Sequence, residues 1–218
     1  TVAENVTGNA TYVAQWKADE DTAYTVEFYY EKDGAYSETP DATDPRTGTT
    51  DEAAYVTEQD KVPDLEKGNY VFDADAANVL EGTITGDGKL VLKVYFKEQF
   101  TVTYEPGDHG TFEAQTNPGL DYGDATPAFE GEKTGDAGYT FTGWAPTVAE
   151  NVTGNATYVA QWKADEDTAY TVEFYYEKDG AYSEKPDATD PRTGTTDEAA
   201  NVTEQDKVPD PEKGNYVF

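Results

Sequence analysis

The feature that most constrains this chain is a long internal repeat, in which residues 1–72 recur without a gap as residues 147–218. The copies differ at three positions, where Thr39, Tyr55 and Leu65 are replaced by Lys185, Asn201 and Pro211. Such near-identity indicates recent duplication within a tandem array. Serial copying favours a spacer, which gains length, or a weak binder, which gains avidity, over a catalytic centre.

The two copies are 146 residues apart in the sequence, which is too long for one solenoid repeat of about 20–50 residues. Strand-like segments instead delimit two alternating modules, which we name A and B. We assign residues 1–23 to the C-terminal part of a B module, 24–99 to a complete A module, 100–169 to a complete B module and 170–218 to the N-terminal part of a second A module. Because these boundaries cut modules at both ends, we expect the chain to be part of a longer protein.

Period-two alternation predicts the first and last strands of module A. Residues 24–30 place one set of side chains on a common face, namely Tyr24, Val26, Phe28 and Tyr30. Residues 90–97 likewise direct a set toward the core, namely Leu90, Leu92, Val94 and Phe96. The same alternation turns Lys93 and Lys97 outward.

Between these strands, residues 69–72 and 79–84 predict two more, with turns at 32–34 and 86–88, the latter expected to form a hairpin into the last strand. Residues 39–50 are rich in Pro, Asp, Thr and Gly and predict a long loop. Residues 50–54 are expected to begin a short helix capped by Thr50 or Asp51. The exchange of Leu65 for Pro211 predicts a loop or a first helical turn, and that of Tyr55 for Asn201 predicts an exposed side chain.

Module B has its own strand pattern, in which Phe100, Val102 and Tyr104 alternate on the first strand. A turn is predicted at residues 105–110. Further strands are expected to begin at residues 111–114, to cover 138–144, and to end the module with Tyr158, Ala160 and Trp162 on one face. Residues 163–169 form a short polar linker that allows little free tumbling.

The composition agrees with a β-rich fold of small modules. Hydrophobic residues make up 36% of the chain, which is low for one large core, but it has 17 Tyr and 9 Phe. Aromatic side chains favour pleated, half-buried surfaces. Cys and Met are absent, so the sequence offers no disulfide framework, no thiolate zinc site and no thiol nucleophile. The absence of the two most easily oxidised side chains suits an extracellular setting.

The charge balance restricts the partners. There are 15 basic and 45 acidic residues, a net charge of -30. Nucleic acid is therefore not an expected partner, since binding it requires a Lys/Arg surface, and an anionic membrane surface is disfavoured as well. The acid excess favours solubility and repulsion between neighbouring modules, with cation binding as the alternative. No apolar run approaches the roughly 18 residues of a membrane helix, so no membrane insertion is expected.

Module B resembles the Listeria–Bacteroides repeat, also called the internalin B-repeat family. The resemblance is carried by Gly138-Tyr139-Thr140-Phe141-Thr142-Gly143-Trp144 and by residues 151–162, which read NVTGNATYVAQW. It implies a small β-grasp-like module that serves in series as a spacer in Gram-positive surface proteins.

Module A is similar to the mucin-binding-protein (MucBP-like) repeats. The similarity is carried by the strand texts at 24–30 and 90–96. It implies a β-grasp-like fold and, in some members, adhesion to mucus. Together the two resemblances imply a β-rich (α+β, β-grasp-like) chain of small modules in tandem, forming an elongated array. Neither resemblance supplies a ligand-binding residue.

Several residues are candidates for chemical sites. His109, the only His, is expected to be a solvent-exposed turn residue, because a lone imidazole makes a poor metal or acid/base site. The carboxylates of the A loop, Asp41, Asp44, Asp51 and Glu52, either bind Ca²⁺ or serve as turns and caps. Trp16, Trp144 and Trp162 are expected to pack in the core rather than stack on sugars.

Sequons occur at Asn5, Asn9, Asn151, Asn155 and Asn201, where turn chemistry is the simpler interpretation. We therefore predict no catalytic, cofactor-binding or metal-binding residue, no cofactor and no enzyme activity. The leading hypothesis is a stalk that holds the adhesive domain of a bacterial cell-surface protein away from the cell wall. The alternative is a weak, multivalent module that binds host mucin or glycans. Both place the chain outside the cell, with neighbouring repeats as its contacts.

Overall fold

The computed structural model describes residues 8–9 and 11–218. Across these residues the chain forms eleven β-strands and one short 3-10 helix, Gln59–Lys61. The strands are β1 (Thr22–Tyr30), β2 (Ala42–Gly48), β3 (Ala53–Tyr55), β4 (Tyr70–Phe72), β5 (Glu81–Thr83), β6 (Leu90–Glu105), β7 (Gln115–Asp121), β8 (Tyr139–Ala145), β9 (Ala156–Ala164), β10 (Thr168–Phe174) and β11 (Ala188–Gly194). The expected β-rich class is confirmed, with both parallel and antiparallel pairing.

The chain divides into two compact units. The first comprises Thr1–Thr101, Pro118–Ala125 and Asn151–Gly154. The second comprises Val102–Asn117, Thr126–Glu150 and Asn155–Phe218. The four-module division drawn from the sequence remains a prediction.

In the first unit, β1 lies between β2, its antiparallel neighbour, and β6, to which it is parallel. β4 pairs with β6, and β3 pairs with β5 in a separate two-stranded sheet. The core face confirms the predicted alternation, because Val26, Leu92, Val94 and Phe96 are fully buried. Ala54, Val56 and Ile84 complete this cluster from the side of the small sheet.

The opposite face of β1 is less open than the sequence pattern suggested. Tyr29 is only 3% exposed, because its ring stacks on Tyr95 with centroids 4.6 Å apart. Lys93 and Lys97 do lie on this face, but neighbouring carboxylates partly cover both. Lys97 Nζ lies 2.6 Å from Asp121, and Lys93 Nζ lies 3.8 Å from Glu27.

Two expectations for residues 39–55 are wrong. Residues 42–48 form strand β2 rather than a loop, since an edge strand tolerates Pro45, whose missing N–H costs nothing on the open side. Residues 53–55 form strand β3 rather than a helix. Asp51, with φ of 67°, is in the left-handed region and cannot cap a helix, because an N-cap has extended backbone.

The turns and the remaining strands of module A agree with the sequence in most respects. The turn at 32–34 is confirmed, with mutual hydrogen bonds between Lys32 and Ala35. The turn at 86–88 forms, and Val79 before it bridges Lys93 of β6 in antiparallel fashion, which bears out the expected hairpin in part, although β5 itself pairs with β3. Leu65 lies outside any strand and is 84% exposed, and Tyr55 is 58% exposed, so both predictions from the repeat differences are confirmed.

The two strands predicted at 90–97 and 100–104 are one strand, β6. The alternation stays in phase through Phe96, Phe100 and Val102, all of them buried, so nothing in the pattern interrupts the extended backbone. The strand expected from residue 111 is misplaced: residues 111–114 are irregular and β7 begins at Gln115. The turn at 105–110 is confirmed.

In the second unit, β9 pairs antiparallel with β8 and parallel with the C-terminal end of β6. Tyr104, Tyr158 and Ala160 are buried as predicted. Trp144 packs against Tyr104, with centroids 4.8 Å apart, and Trp162 donates from Nε1 to the Pro106 carbonyl at 2.8 Å. Core packing is therefore confirmed for these two tryptophans.

The prediction of core packing is wrong for Trp16, whose side chain is 93% exposed. Its counterpart Trp162 is covered by Phe112 and Phe141. Both rings belong to residues 73–146, which occur once in the sequence and pack on Trp162, so Trp16 has no such cover among the described residues. Of the sequons, Asn5 lies outside the described residues.

Candidate functional site: the joint between modules B and A

Residues 100–169, the predicted B module, continue into residues 170–218, the predicted start of the next A module, through a shorter connection than the sequence suggested. β9 ends at Ala164 and β10 begins at Thr168, so only residues 165–167 separate the two strands. We call the residues around this connection the joint. Most of the linker predicted at 163–169 is thus absorbed into strands.

A single linker residue ties the joint to both modules through its backbone. The Asp165 N–H donates to the Gly138 carbonyl at 2.8 Å, at the start of β8. The Asp165 carbonyl accepts from the Thr196 N–H at 2.9 Å, beyond β11. Gly138 has a φ of 85°, and a Cβ at this position would clash with the Thr196 side chain. Glycine is therefore required here on two grounds.

Side chains reinforce the same contact. The Tyr139 hydroxyl donates to Asp197 Oδ2 at 2.5 Å, and this carboxylate, more than any other group, raises the pKa of Tyr139. Thr140 Oγ1 donates to Asp165 Oδ1 at 2.6 Å. The joint is thus held by both backbone and side-chain hydrogen bonds. The residues that form the side-chain bonds are not deeply buried; they are Tyr139, Thr140, Asp165 and Asp197.

The only histidine supports the joint. The His109 ring stacks on Tyr139 with centroids 3.7 Å apart, and its Nδ1 lies 3.3 Å from Asp136 Oδ2. The predicted turn position is confirmed, but the ring is covered on one face rather than fully exposed. His109 therefore positions the tyrosine that reaches across to Asp197.

Part of the joint recurs at the first copy of the repeat. The Thr50 N–H donates to the Asp19 carbonyl at 2.8 Å, as Thr196 does to Asp165. Thr22 and Thr50 share a hydroxyl hydrogen bond of 2.6 Å. Asp197 repeats the left-handed backbone of Asp51, with φ of 61°. The threonine and aspartate contacts on the module A side of the joint thus recur, whereas the contacts from Gly138, Tyr139 and Thr140 are made once among the described residues.

The acidic loop weighed as a calcium site is occupied by structural contacts. Asp41 accepts a hydrogen bond from the Tyr30 N–H at 2.9 Å, and Asp44 pairs with Arg46 at 2.7 Å. Within residues 8–9 and 11–218, no group of three or more His, Cys, Asp or Glu side chains is arranged to hold a metal ion. A hydrogen bond from the neighbouring strand occupies Asp41, and an ion pair within β2 occupies Asp44.

An ion-pair network that the sequence analysis missed lies beside this loop. Arg46 donates to both carboxylate oxygens of Asp60, at 3.0 and 2.5 Å, and Thr57 donates to the same group from its backbone and its hydroxyl. The Arg46 hydrogen bonds, chiefly, lower the pKa of Asp60 to about 2. Each copy has one arginine, and Arg192 repeats the network with Asp206. The sequence did contain a signal for this network. Each copy has a single arginine, and the same Thr-Glu-Gln-Asp segment follows it in both copies.

Module A also presents a tyrosine face, formed by Tyr29, Tyr36 and Tyr95. Tyr36 and Tyr95 meet edge to face at 4.9 Å, and both remain partly accessible. The Tyr36 hydroxyl donates to Asp73 at 2.7 Å, and burial, followed by this carboxylate, raises the pKa of Tyr36. Aromatic rings can stack on sugars, and carboxylates beside them can accept hydrogen bonds from the sugar hydroxyls.

Comparison with known proteins adds no assignment. No protein-family model matches the chain, and no curated protein matches it. The resemblances of modules A and B to surface-protein repeats therefore remain predictions from the quoted residues. In the part of the chain that the structure describes, no helix has the length and apolar character needed to cross a membrane.

Proposed function

We propose that this chain is a non-enzymatic, tandem-repeat stalk of a bacterial cell-surface adhesin, which projects a distal adhesive domain from the cell wall. The observation that carries the proposal is the joint, because near-identical sequence forms the same backbone hydrogen bond at Asp19, from Thr50, and at Asp165, from Thr196. A spacer needs such a reproducible connection, since its reach depends on how each module continues into the next.

The joint is suited to a stiff connection. Three linker residues separate β9 from β10, and Asp165 is fixed on both sides by backbone hydrogen bonds. A free Gly/Ser-type linker would leave these groups to water and bend readily. The net charge of -30 adds repulsion between successive modules. Both properties favour an array that resists folding back on itself.

For the modules themselves we propose the β-grasp-like fold implied by the sequence resemblances, arranged in tandem. In module A the first and last strands, β1 and β6, pair in parallel at the middle of the sheet. The crossover between them carries short strands and a 3-10 turn in place of a longer helix. This arrangement is compatible with a reduced member of that class.

The stalk function is tested by cell-surface display. One, two and three 146-residue periods are inserted between a wall anchor and a reporter epitope on a bacterium with a capsule. Antibody access to the epitope should rise with the number of periods. A flexible Gly/Ser insert of equal length is the control. Equal access for the flexible insert and the repeats would contradict a stalk that works through stiffness.

The second candidate function, weak multivalent binding of mucin-type glycans, is favoured by the tyrosine face. Binding of the whole chain to immobilised mucin glycans is measured as a monomer and as a streptavidin-linked tetramer. The matched variant is Tyr95→Ala, with Tyr55→Ala, an exposed tyrosine outside the face, as the control. Binding that sugars compete away and that only Tyr95→Ala weakens would favour this function. Absence of binding by the tetramer would remove it.

A further inference from the structure

The predicted modules A and B each begin and end with strands that pair in parallel. In module A, residues 24–30 of β1 lie opposite residues 90–96 of β6, so the ladder has seven paired positions. In module B, residues 102–105 at the C-terminal end of β6 lie opposite residues 156–159 of β9, which gives four paired positions. We call these ladders the A clamp and the B clamp. Each joins the strand by which the chain enters a module to the strand by which it leaves.

Parallel pairing determines how tension along the chain acts on each clamp. The N-terminal end of the first strand and the C-terminal end of the second lie at opposite ends of a parallel ladder. A pull along the chain therefore slides the two strands lengthwise past each other, and all hydrogen bonds of the ladder carry the load together. In an antiparallel pair the chain would enter and leave at the same end, and the bonds would break one at a time.

The core face of the A clamp resists this sliding. Val26 of β1 is fully buried, as are Leu92 and Val94 of β6. Phe96 is also fully buried and stacks on Tyr30 with ring centroids 4.8 Å apart. Because a protein core is close-packed, a lengthwise shift forces these side chains out of their sites. A slip of one residue also moves the apolar set off the core face.

The outer face of the A clamp is covered as well. Tyr29 lies opposite Tyr95 and stacks on it with centroids 4.6 Å apart, which leaves Tyr29 only 3% exposed. Glu27 lies opposite Lys93, whose Nζ is 3.8 Å away. These cross-strand pairs shield the backbone hydrogen bonds of the ladder from water, which would otherwise compete for a bond that the load has stretched.

Neighbouring strands hold both clamps in place. β1 pairs with β2 on its other side, and β6 pairs with β4, so the A clamp lies in the interior of its sheet. In the B clamp β9 pairs with β8 on its other side. β6 belongs to both clamps and is one uninterrupted strand, Leu90–Glu105. Tension therefore passes from the A clamp to the B clamp through paired backbone and not through a free linker.

We propose that the A and B clamps are load-bearing elements, through which each module resists stretching when tension acts along the chain. The clamps lie in series and carry the same tension, so the B clamp, with four paired positions against seven, opens first. Under rising tension the chain lengthens in module B while module A still holds. This function goes beyond the proposed stalk, which needs stiffness against bending, and it does not depend on an adhesin.

The A clamp is tested by pulling the whole chain in two directions with optical tweezers. The chain has no cysteine, so pairs of introduced cysteines define where the handles attach. Asp21→Cys with Glu105→Cys loads the ladder lengthwise, whereas Asp21→Cys with Lys89→Cys pulls apart two strand ends that lie side by side. All three positions are exposed. We expect an unfolding force about threefold higher for the first pair. Equal forces in the two directions would overturn the A clamp.

A pair of matched variants separates resistance to force from stability. Val26 and Val56 belong to the same buried cluster, but only Val26 lies in the clamp. Val26→Ala and Val56→Ala should both lower the free energy of unfolding in urea. With handles at residues 21 and 105, only Val26→Ala should lower the unfolding force clearly. Forces that fall in proportion to the loss of stability in both variants would overturn the assignment to the clamp.

The order of opening is tested with handles at Asp21→Cys and Glu166→Cys, both exposed, which load the two clamps in series. We expect two steps, of which the second, at higher force, matches the force found with handles at residues 21 and 105. The length gained in each step, about 3.5 Å for each residue released, identifies the module. Opening of module A first would overturn the order. Low forces in every direction from a chain that is extended in solution would remove the clamps and leave the stalk proposal standing.

Discussion

Neutralising Asp60 should destabilise module A by an amount that depends on pH. Its carboxylate is 8% exposed and accepts hydrogen bonds from Arg46 and Thr57. The pKa of Asp60 is about 2 instead of the ordinary 3.8. At about 1.4 kcal/mol per pKa unit, this difference corresponds to about 2 kcal/mol of stabilisation of the folded state. Solvent at the edge of the ion pair reduces this to about 1–2 kcal/mol.

The sign follows from the depressed pKa. Because the folded carboxyl binds its proton less readily than the unfolded one, the stabilisation is complete above about pH 4 and is lost as the pH falls from about 4 to 2. Asp60→Asn should therefore lower the free energy of unfolding by about 1–2 kcal/mol at pH 7 and by much less at pH 2.

Urea unfolding at the two pH values, followed by circular dichroism, measures this difference. Glu38→Gln, which removes one exposed charge, is the control for the change in net charge and should shift the midpoint little at either pH. If Asp60→Asn costs the same at pH 2 as at pH 7, or nothing at pH 7, the ion pair does not stabilise the module as the structure indicates.

Three further predictions follow from matched positions in the two copies and from the joint. Hydrogen exchange should show that Val56→Ala lowers local stability by about 1–2 kcal/mol and that Val202→Ala lowers it by less than about 0.5 kcal/mol. The reason is that only Val56 is buried. Equal losses of stability would contradict this difference in burial. Iodide should quench Trp16 strongly and Trp162 weakly, as measured with single-tryptophan variants; equal quenching would refute the exposure assigned to Trp16. Tyr139→Phe removes the hydroxyl that donates to Asp197, so it should broaden the distribution of distances between spin labels placed on modules B and A. An unchanged width would show that this hydrogen bond does not stiffen the joint.

The sequence predicted the strands whose side chains alternate over many residues. β1 and β6 bury Val26, Leu92 and Val94 on one face, and period-two alternation is visible without knowledge of the partners. The sequence pattern did not predict β2, because Pro45 and Gly48 are unfavourable in a strand in general and are tolerated only at a sheet edge. Edge position is a property of the assembled sheet, which a local pattern does not contain.

The joint could not be derived for a related reason. Its contacts bring Gly138 and Tyr139 to Thr196 and Asp197, almost 60 residues away in sequence, and no local periodicity specifies such a pair. Tyr29 illustrates the same limit, since its burial depends on Tyr95 from another strand. The repeat itself was the strongest guide, because replacements at Leu65 and Tyr55 correctly identified exposed positions.

The most direct test of the stalk proposal is small-angle X-ray scattering of the 218-residue chain in dilute solution. A compact globule of this length has a radius of gyration of about 17 Å, whereas modules arranged end to end should give roughly 30 Å. We expect the larger value. If the joint rather than charge repulsion sets the length, the radius of gyration should be the same at low and at moderate salt. A value near 17 Å would contradict the account.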